Sequence, residues 1–312
     1  MYMLFKSILN KKTASVQSEF DRFFLDILKN QTHTGDLLLI DINGYYNPEV
    51  KSWRSPDNKM CPYMFGPNKE GHSQFLHHQF IGEYLKKSIL EQPYEEYVKQ
   101  HEYSQERFNE ISELQKLEGD SIQYEMLMYL KIWEADLFIK QFYQLVRLSE
   151  GLEYDWHFSI WESNRDNDAT GKRHEIIRKR IRNKIEKKYP EIYAAIKCAF
   201  NTQIRNSIAH SKYSMIGRYI HLNNYIADDD ASQIKVVSFD EWVDLMHNTL
   251  VIYSQLTRIL NCAGEFYRKF QEERKGIMEI RINRKDMVPA TEFRMLKYRP
   301  EWDDWYWADN ED

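Results

Sequence analysis

One stretch of 30 residues constrains the fold of this chain more than any other part of its sequence. Between residues 120 and 149 the chain reads DSIQYEMLMYLKIWEADLFIKQFYQLVRLS, in which apolar side chains recur at helical spacing on most sides. The pattern stops near Gly151, a residue type that often follows a helix. Because a helix that is apolar nearly all round must be covered, we expect one continuous helix, central in a bundle or at a dimer interface.

Helical periodicity dominates the remainder of the chain as well. It predicts further helices over about 14–30, 73–100, 104–117 and 172–188, from Pro190 through Ile204, and from a cap at Ser238 or Asp240 to about 274. The predicted fold class is therefore mainly α, a bundle of largely up-and-down helices.

Short apolar or alternating runs predict a few strands. DLLLIDI at 36–42 is typical of a buried strand, and residues 43–71, rich in Pro and Gly, are typical of an irregular loop. RYIHLNNYI and SQIKVVSF stand on either side of ADDDA, which predicts a small β-hairpin inserted between helices. IMEIRINR, from residue 277, is expected to form a final strand.

Charge and cysteine content narrow the class of protein. The net charge is −5, so any nucleic-acid binding must come from a local basic surface. The three cysteines, Cys61, Cys198 and Cys262, are far apart, which indicates a reducing compartment without a disulfide framework. No run approaches the roughly 20 apolar residues of a membrane span, and the N-terminus lacks the features of a signal peptide. We therefore expect a cytoplasmic protein.

An arginine and a histidine stand five positions apart in RNSIAH, residues 205–210. Ile204 and Ile208 are expected to face the core, which leaves Arg205, Asn206 and His210 on more exposed faces. Five steps of about 100° place Arg205 and His210 ~140° apart on an ideal helix. An undisturbed helix cannot bring both into one pocket, so we expect either a bend within the motif or a second chain that completes the site.

The RNSIAH motif resembles the signature of the HEPN superfamily, in which an Arg is followed by a polar residue, often Asn, and after four to six residues by His. The resemblance covers roughly 119–275. It implies a commonly dimeric helical bundle, and many members are metal-independent endoribonucleases of phage-defence, toxin–antitoxin or CRISPR systems. It therefore implies RNA as substrate, a homodimer, and an antitoxin or defence protein as a possible partner. The positions where one longer family pattern has Glu and Lys are Lys197 and Asn201, so no subfamily is assigned.

The chemistry that this resemblance implies suits the residue types. Cleaving RNA without a metal needs a base for the 2′-hydroxyl, an acid for the leaving oxygen and a cation for the charge on phosphorus. Histidine titrates near pH 6.5 and can act as base or acid, so His210 is the candidate for both roles. Arg205 would hold phosphate oxygens with its planar fork, and Asn206 would position His210 or donate to phosphate.

A strongly basic stretch precedes the motif. Residues 172–188, which we call the basic segment, contain nine Lys or Arg against two Glu, with one apolar stripe of isoleucines. Such a face can follow a phosphate backbone without reading sequence, although a merely solvated helix face is an equally common reason for it. The RNA-binding residues that we predict are Lys172, Arg173, Arg178, Lys179, Arg180, Arg182, Lys212 and Tyr213.

Other candidate motifs are weaker. ATGKR at 169–173 lacks the first glycine of a phosphate-binding loop, and Asp166-x-Asp168 lacks the glutamate that ends a calcium loop. Glu134 lies within the long apolar run and is expected to be a buried polar partner. Three histidines have no Cys or carboxylate at metal spacing, namely His72, His77 and His78. We predict no bound metal and no cofactor.

The sequence predicts three parts, with two alternatives for their function. Residues 1–118 would be an α-rich regulatory or sensing extension, 119–275 the HEPN-like domain, and 276–312 an extension with an acidic, aromatic tail. One alternative is a catalytically silent HEPN-like module that binds RNA, nucleotide or a protein. The other is a helical scaffold in which Arg205 and His210 are structural, because such residues also cap carbonyls at helix ends.

Overall fold

The structure is a computed structural model that describes residues 3–47, 62–67, 74–161, 171–273 and 275–308. Over these residues the chain is mainly helical. The α-helices are α1 (Lys6–Asn30), α2 (Asp36–Asp41), α3 (Gln74–Ser88), α4 (Tyr94–Lys99), α5 (Phe108–Trp133), α6 (Asp136–Ser149), α7 (Lys172–Glu175), α8 (Asn183–Ile185), α9 (Pro190–Ala199), α10 (Thr202–Ala209) and α11 (Phe239–Glu273). A π-helix, Ile176–Arg182, joins α7 to α8.

The strands are short and form four small sheets. They are β1 (Leu4–Phe5), β2 (Tyr45–Tyr46), β3 (Tyr63–Met64), β4 (Ile89–Leu90), β5 (Tyr213–Ile216), β6 (Tyr219–Leu222), β7 (Val236–Ser238), β8 (Ile277–Asn283), β9 (Thr291–Arg299) and β10 (Asp304–Trp307). The sheets pair β1 with β4, β2 with β3, β5-β6-β7 and β10-β9-β8. Within the described ranges, no helix combines the length and apolar character that crossing a bilayer would require.

The chain divides into two compact units, each assembled from three separate stretches. The motif unit contains Met1–Phe20, Ser73–Ala135 and Ser163–Gln255, and the second unit contains Asp21–His72, Asp136–Glu162 and Leu256–Asp312. Helices α1 and α11 contribute residues to both. These borders differ from those that we predicted near residues 118 and 275, and the first of those falls inside α5.

Aromatic side chains from distant parts of the chain form the core of the motif unit. Trp133 of α5 packs against Phe200, with ring centroids 5.1 Å apart, and its indole N–H donates to Thr249 Oγ1 at 3.2 Å. One turn earlier, Tyr129 packs on Trp242 of α11 at 5.8 Å. These contacts place the C-terminal half of α5 beside the segment that leads into α10.

Two buried titratable side chains hold the N-terminal strand of the motif unit. The carboxylate of Glu125 accepts the backbone N–H of Met3 at 3.1 Å and the indole N–H of Trp242 at 2.7 Å, and burial raises the pKa of Glu125 to about 8. His247 accepts the N–H of Phe5 at 2.8 Å through Nε2, and burial lowers its pKa to about 4. Both side chains are fully buried.

The three-stranded sheet of the motif unit confirms the predicted hairpin and extends it. β6 and β7 pair antiparallel on either side of ADDDA, with Ile220 opposite Val237 on the buried face. β5 adds a strand that we did not predict, because YSMI is short and follows the helical motif directly. The predicted cap of α11 is confirmed at Ser238, which exchanges hydrogen bonds with Glu241 in a capping box.

The second unit contains a meander of three antiparallel strands. Ile280 and Ile282 alternate with exposed residues along β8, and Leu296 of β9 is buried with them. Trp305 and Trp307 of β10 are almost fully buried. The predicted strand after residue 276 is thus confirmed, with two further strands following it. Residues 309–312 of the acidic tail lie outside the described residues.

The single helix that we predicted over 120–149 is wrong. α5 begins at Phe108, which joins the predicted 104–117 helix to the first half of the apolar run, and it ends at Trp133. Glu134 is its C-cap, and α6 begins at Asp136. The break at Glu134 and Ala135 thus falls where a charged residue interrupts the apolar pattern.

The buried strand that we predicted over 36–42 is also wrong, since Asp36–Asp41 is α2. A short apolar run does not distinguish a strand from a helix that is buried on all sides. The Asp36 carboxylate accepts from the Thr32 hydroxyl at 2.9 Å and the His33 N–H at 3.3 Å, which favours a helical turn here. The predicted loop over 43–71 contains β2 and β3, while 48–61 and 68–71 lie outside the described residues.

The helix predicted over 172–188 is helical through residue 185 and has π geometry at its centre. Ile177, Ile181 and Ile185 follow α spacing, whereas Ile176 and Ile181 are five residues apart, the repeat of a π-helix. All four are buried. π geometry therefore lets one face bury every isoleucine of the stripe.

Candidate functional site

Local sequence sets the start and the buried face of α10. The side chain of Asn201 caps the helix by accepting the N–H of Ile204 at 3.0 Å. Ile204 and Ile208 are buried, as predicted from their spacing. Arg205 and Asn206 are half-buried.

The helix ends within the motif by a Schellman turn. The N–H of Ser211 bonds to the carbonyl of Ile208 at 3.1 Å, and the N–H of Lys212 bonds to the carbonyl of Ser207 at 2.7 Å. Ser211 takes the left-handed conformation, with φ of +51°, that this turn requires. His210 is the C-cap residue and is exposed to solvent.

Arg205 does not point into open solvent but meets a carboxylate. Its Nη1 lies 2.9 Å from Oε1 of Glu134, and Nη1 of Arg173 lies 3.4 Å from the other oxygen of the same carboxylate. A Cβ added to Gly171 would lie 3.8 Å from Nη2 of Arg205, so the backbone there approaches the guanidinium closely. We call Arg205, Arg173 and the carboxylate of Glu134 between them the arginine fork.

The arginine fork has the properties of an anion-binding site. It carries two guanidinium groups for one carboxylate, and the side chains of Arg205, Arg173 and Glu134 are 14%, 25% and 32% exposed. Two planar guanidinium groups that grip two oxygens of one anion are the arrangement proteins use for carboxylates and phosphates alike. In this chain the anion is its own Glu134.

The structure separates the two motif residues that we predicted to act together. Arg205 is engaged by Glu134, whereas the ring of His210 makes no hydrogen bond or ion pair with any described residue. The motif helix does not bend to unite them. It ends at His210, so that this ring lies at the exit of α10 and Arg205 faces α5.

The remaining predicted residues near the motif lie on either side of this helix end. Asn206 is half-buried next to Arg205 in α10. The hydroxyl of Ser207 donates to the carbonyl of Lys212, which stabilises the turn after His210. Lys212 is exposed, and Tyr213 is half-buried at the start of β5.

Some cations of the basic segment contact other side chains of the chain, and others are exposed to solvent. Arg173 belongs to the arginine fork, and Arg180 lies 3.3 Å from Glu175, five residues earlier, an approach that π geometry permits. Lys172 and Arg178 are half-buried and Lys179 is exposed. Arg182 is half-buried and lies over the ring of Tyr193 on α9, with its guanidinium carbon 5.7 Å from the ring centroid.

Several residues near the motif were missed by sequence reasoning or given too small a role. Glu134 was predicted only as a buried polar partner, and its charge within an apolar run was the one available signal. His174, whose Nδ1 is bonded to the hydroxyl of Thr202, had no signal beyond lying in the basic segment. Tyr193 and Lys197 of α9 lie next to Arg182 only because of the tertiary structure.

The structure adds no support for the candidate motifs that were weaker in the sequence. Over the part of the chain that the structure describes, no cluster of three or more His, Cys, Asp or Glu side chains could hold a metal ion. The Nδ1 of His78 is bonded to the hydroxyl of Tyr253. His72, Asp166 and Asp168 lie outside the described residues.

Comparison of the chain with models of protein families, with curated proteins and with solved structures gave no match.

Proposed function

We propose that this chain is a metal-independent endoribonuclease of the HEPN type, acting in the cytoplasm of a prokaryote in defence or growth arrest. The observation that carries the proposal is the arginine fork, in which Arg205 and Arg173 hold a carboxylate beside the helix that ends at His210. A phosphodiester presents two oxygens and one negative charge, as this carboxylate does. RNA phosphate would take the place of Glu134 between the two arginines.

The proposed reaction assigns a role to each group. His210, exposed at the end of α10, accepts the proton of the 2′-hydroxyl or donates one to the leaving 5′-oxygen. The 2′-oxygen forms a bond to phosphorus as the bond from phosphorus to the 5′-oxygen breaks, which leaves a 2′,3′-cyclic phosphate and a 5′-hydroxyl. Arg205 and Arg173 stabilise the charge on the phosphate oxygens, and Asn206 positions the phosphate or His210.

The proposed enzyme is a homodimer with a shared site. One chain exposes one motif histidine, whereas the reaction uses both a base and an acid. A two-fold axis next to α10 would bring together two copies of His210 and Arg205. The outer face of α5 offers Tyr124 and Leu127, which are 61% and 46% exposed, as apolar surface for such a contact. An antitoxin or defence protein would be a further partner of this assembly.

Cleavage of single-stranded RNA in EDTA tests the proposal. The full chain should produce 2′,3′-cyclic phosphate ends, and Arg205→Ala or His210→Ala should lower the rate by roughly 100-fold or more, as loss of an acid–base group does. His221→Ala, which removes a half-exposed histidine of β6 in the same unit, is the matched control and should keep full activity. Full activity in both motif variants would overturn the proposal.

A mixing experiment tests the shared site. Arg205→Ala chains mixed with His210→Ala chains form hybrids that retain one arginine and one histidine of the motif. If the site is composite, the mixture should recover weak activity that neither variant has alone. A protein that cleaves RNA while remaining a monomer in light scattering would exclude the dimer.

A catalytically silent module is the second candidate, and the occupied fork favours it. Because Glu134 already neutralises part of the charge on Arg205, the fork could serve binding alone, or the pair could be a structural link between α5 and α10. A silent module would bind RNA without cutting it. If the pair is only a structural link, Arg205→Ala should have a lowered melting temperature and unchanged RNA binding.

A further inference from the structure

A tyrosine on α9 lies next to two cations on the basic face of the motif unit. The guanidinium carbon of Arg182 is 5.7 Å from the centroid of the Tyr193 ring, and Nζ of Lys197 is 6.0 Å from it. Tyr193 is half-buried, whereas Tyr189, one turn earlier, is fully buried and serves the core. Part of the Tyr193 ring therefore remains on the surface, with two positive charges next to it.

The surroundings of this tyrosine are strongly positive. Residues 172–197 contain ten Lys or Arg and three Glu, a net charge of +7 (10 minus 3), in a chain whose net charge is −5. One of the three glutamates, Glu175, lies against Arg180. The exposed lysines are Lys179, Lys184, Lys187, Lys188 and Lys197. Such a surface attracts a polyanion.

We propose that Tyr193, together with Arg182 and Lys197, is a stacking site for an unpaired base of an RNA strand that lies along the basic segment. This inference rests on the proposed function and adds a binding residue outside the arginine fork. A base can stack on a tyrosine ring or on the plane of an arginine guanidinium, and Arg182 over Tyr193 offers both surfaces.

The aromatic ring distinguishes this partner from other polyanions. An acidic protein would pair with the lysines and gain nothing from the ring of Tyr193. A nucleic-acid duplex keeps its base faces stacked inside the helix and would contact the cations alone. An unpaired strand uses both features at once, because each base face lies close to the phosphates that Arg182 and Lys197 neutralise.

Binding of a strand that cannot be cut tests the inference separately from catalysis. The probe is a labelled 2′-O-methyl RNA strand roughly 12 nucleotides long, within the range of known single-strand sites, used alone or annealed to its complement. Tyr193→Leu in the full chain should weaken single-strand binding by roughly 5- to 100-fold, the usual effect of losing one stacked base, and should leave duplex binding unchanged. Tyr193→Phe should bind within about 2-fold of the parent.

Matched controls separate stacking from charge and from misfolding. Tyr103→Leu removes an exposed tyrosine between α4 and α5 in the same unit and should bind both probes normally. A strand of abasic residues should bind the parent and Tyr193→Leu equally. If Tyr193→Leu has a lowered melting temperature, photocrosslinking of a strand that contains 5-iodouridine to the parent chain tests the contact instead. Tyr193 is then the expected site of the crosslink.

Two results would overturn the inference. Equal weakening of single-strand and duplex binding in Tyr193→Leu would show a surface that recognises charge alone, and unchanged binding of both would remove Tyr193 from the RNA path. Neither result affects the proposed cleavage, since the blocked 2′-oxygen takes no part in this assay. Conversely, a chain that cuts no RNA can still show the Tyr193 effect.

Discussion

At the scale of single residues, Glu134 determines how the motif arginine is presented. It lies 71 residues before Arg205 in the chain, and its carboxylate lies 2.9 Å from Nη1 of Arg205 and 3.4 Å from Nη1 of Arg173. Because the three side chains are partly exposed and solvent screens their charges, the two ion pairs contribute on the order of 1 kcal/mol to stability. Its larger consequence is for binding, since any phosphate that enters the fork has to displace this carboxylate.

Replacing Glu134 by Gln tests this competition. The substitution removes the competing negative charge and leaves both arginines in place, so the blocked RNA strand should bind more tightly by roughly 3- to 10-fold, a change of about 1 kcal/mol. The control is Glu186→Gln, which removes one exposed carboxylate from the basic segment without touching the fork. Weaker binding in Glu134→Gln, or equal gains in the two variants, would contradict the competition and favour a positioning role for Glu134.

At the scale of elements, the end of α10 places His210 in solvent. The Schellman turn over Ser207–Lys212 stops the helix at Ala209 and leads directly into β5. This turn usually has glycine at the left-handed position, where this chain has Ser211 with φ of +51°. The side chain at that position is therefore strained, and the strain is located one residue after the motif histidine.

Ser211→Gly should stabilise the motif unit. Glycine adopts positive φ without the steric cost that serine bears, and after allowing for the greater freedom of glycine in the unfolded chain we expect a gain of roughly 0.5–1 kcal/mol. Urea unfolding measures it. The matched control is Ala209→Gly, two residues earlier in the helical last turn, which should lose about 0.5–1 kcal/mol. A loss of stability in Ser211→Gly would show that the serine side chain contributes more than its strain costs.

At the scale of the whole molecule, two buried groups make stability depend on pH in opposite directions. Burial raises the pKa of Glu125 to about 8, so between pH 4.5 and 8 the folded chain holds a proton that the unfolded chain releases, and stability falls as pH rises. Burial lowers the pKa of His247 to about 4, so stability falls as pH decreases from 6.5 towards 4. The two ranges overlap between pH 4.5 and 6.5, where the opposing slopes cancel, so these two groups together favour a broad optimum there.

Glu125→Gln should flatten the alkaline side of this profile. The amide does not titrate, so the variant should lack the fall of roughly 1–4 kcal/mol that Glu125 causes in the parent between pH 5 and 8, at about 1.4 kcal/mol per unit of pKa. Because the amide nitrogen cannot accept the second of the two N–H donors, the whole profile of the variant should lie about 1–3 kcal/mol lower. Denaturant unfolding at both pH values measures the difference. Glu113→Gln, an exposed residue of the same helix, is the control and should leave the profile unchanged. Parallel profiles for parent and Glu125→Gln would contradict the raised pKa of Glu125.

Features that depend on neighbours within a few residues could be predicted from the sequence. Helical periodicity predicted a mainly helical chain, the spacing of Ile204 and Ile208 predicted the buried side of α10, and the cap of α11 was predicted at Ser238 or Asp240, of which the structure has Ser238. The hairpin around ADDDA followed from two short strand-like runs. Each of these depends on backbone hydrogen bonds or side-chain repeats over a few residues, which one sequence contains in full.

Features that depend on partners far along the chain could be established only from the structure. The apolar run over 120–149 breaks at Glu134, whose carboxylate meets Arg173 and Arg205, and DLLLID is a helix whose apolar residues are all buried. The arginine fork and the contact of Arg182 with Tyr193 likewise join side chains from different helices. Spacing along a sequence carries no information about such pairs, since their distances are determined by how the helices pack.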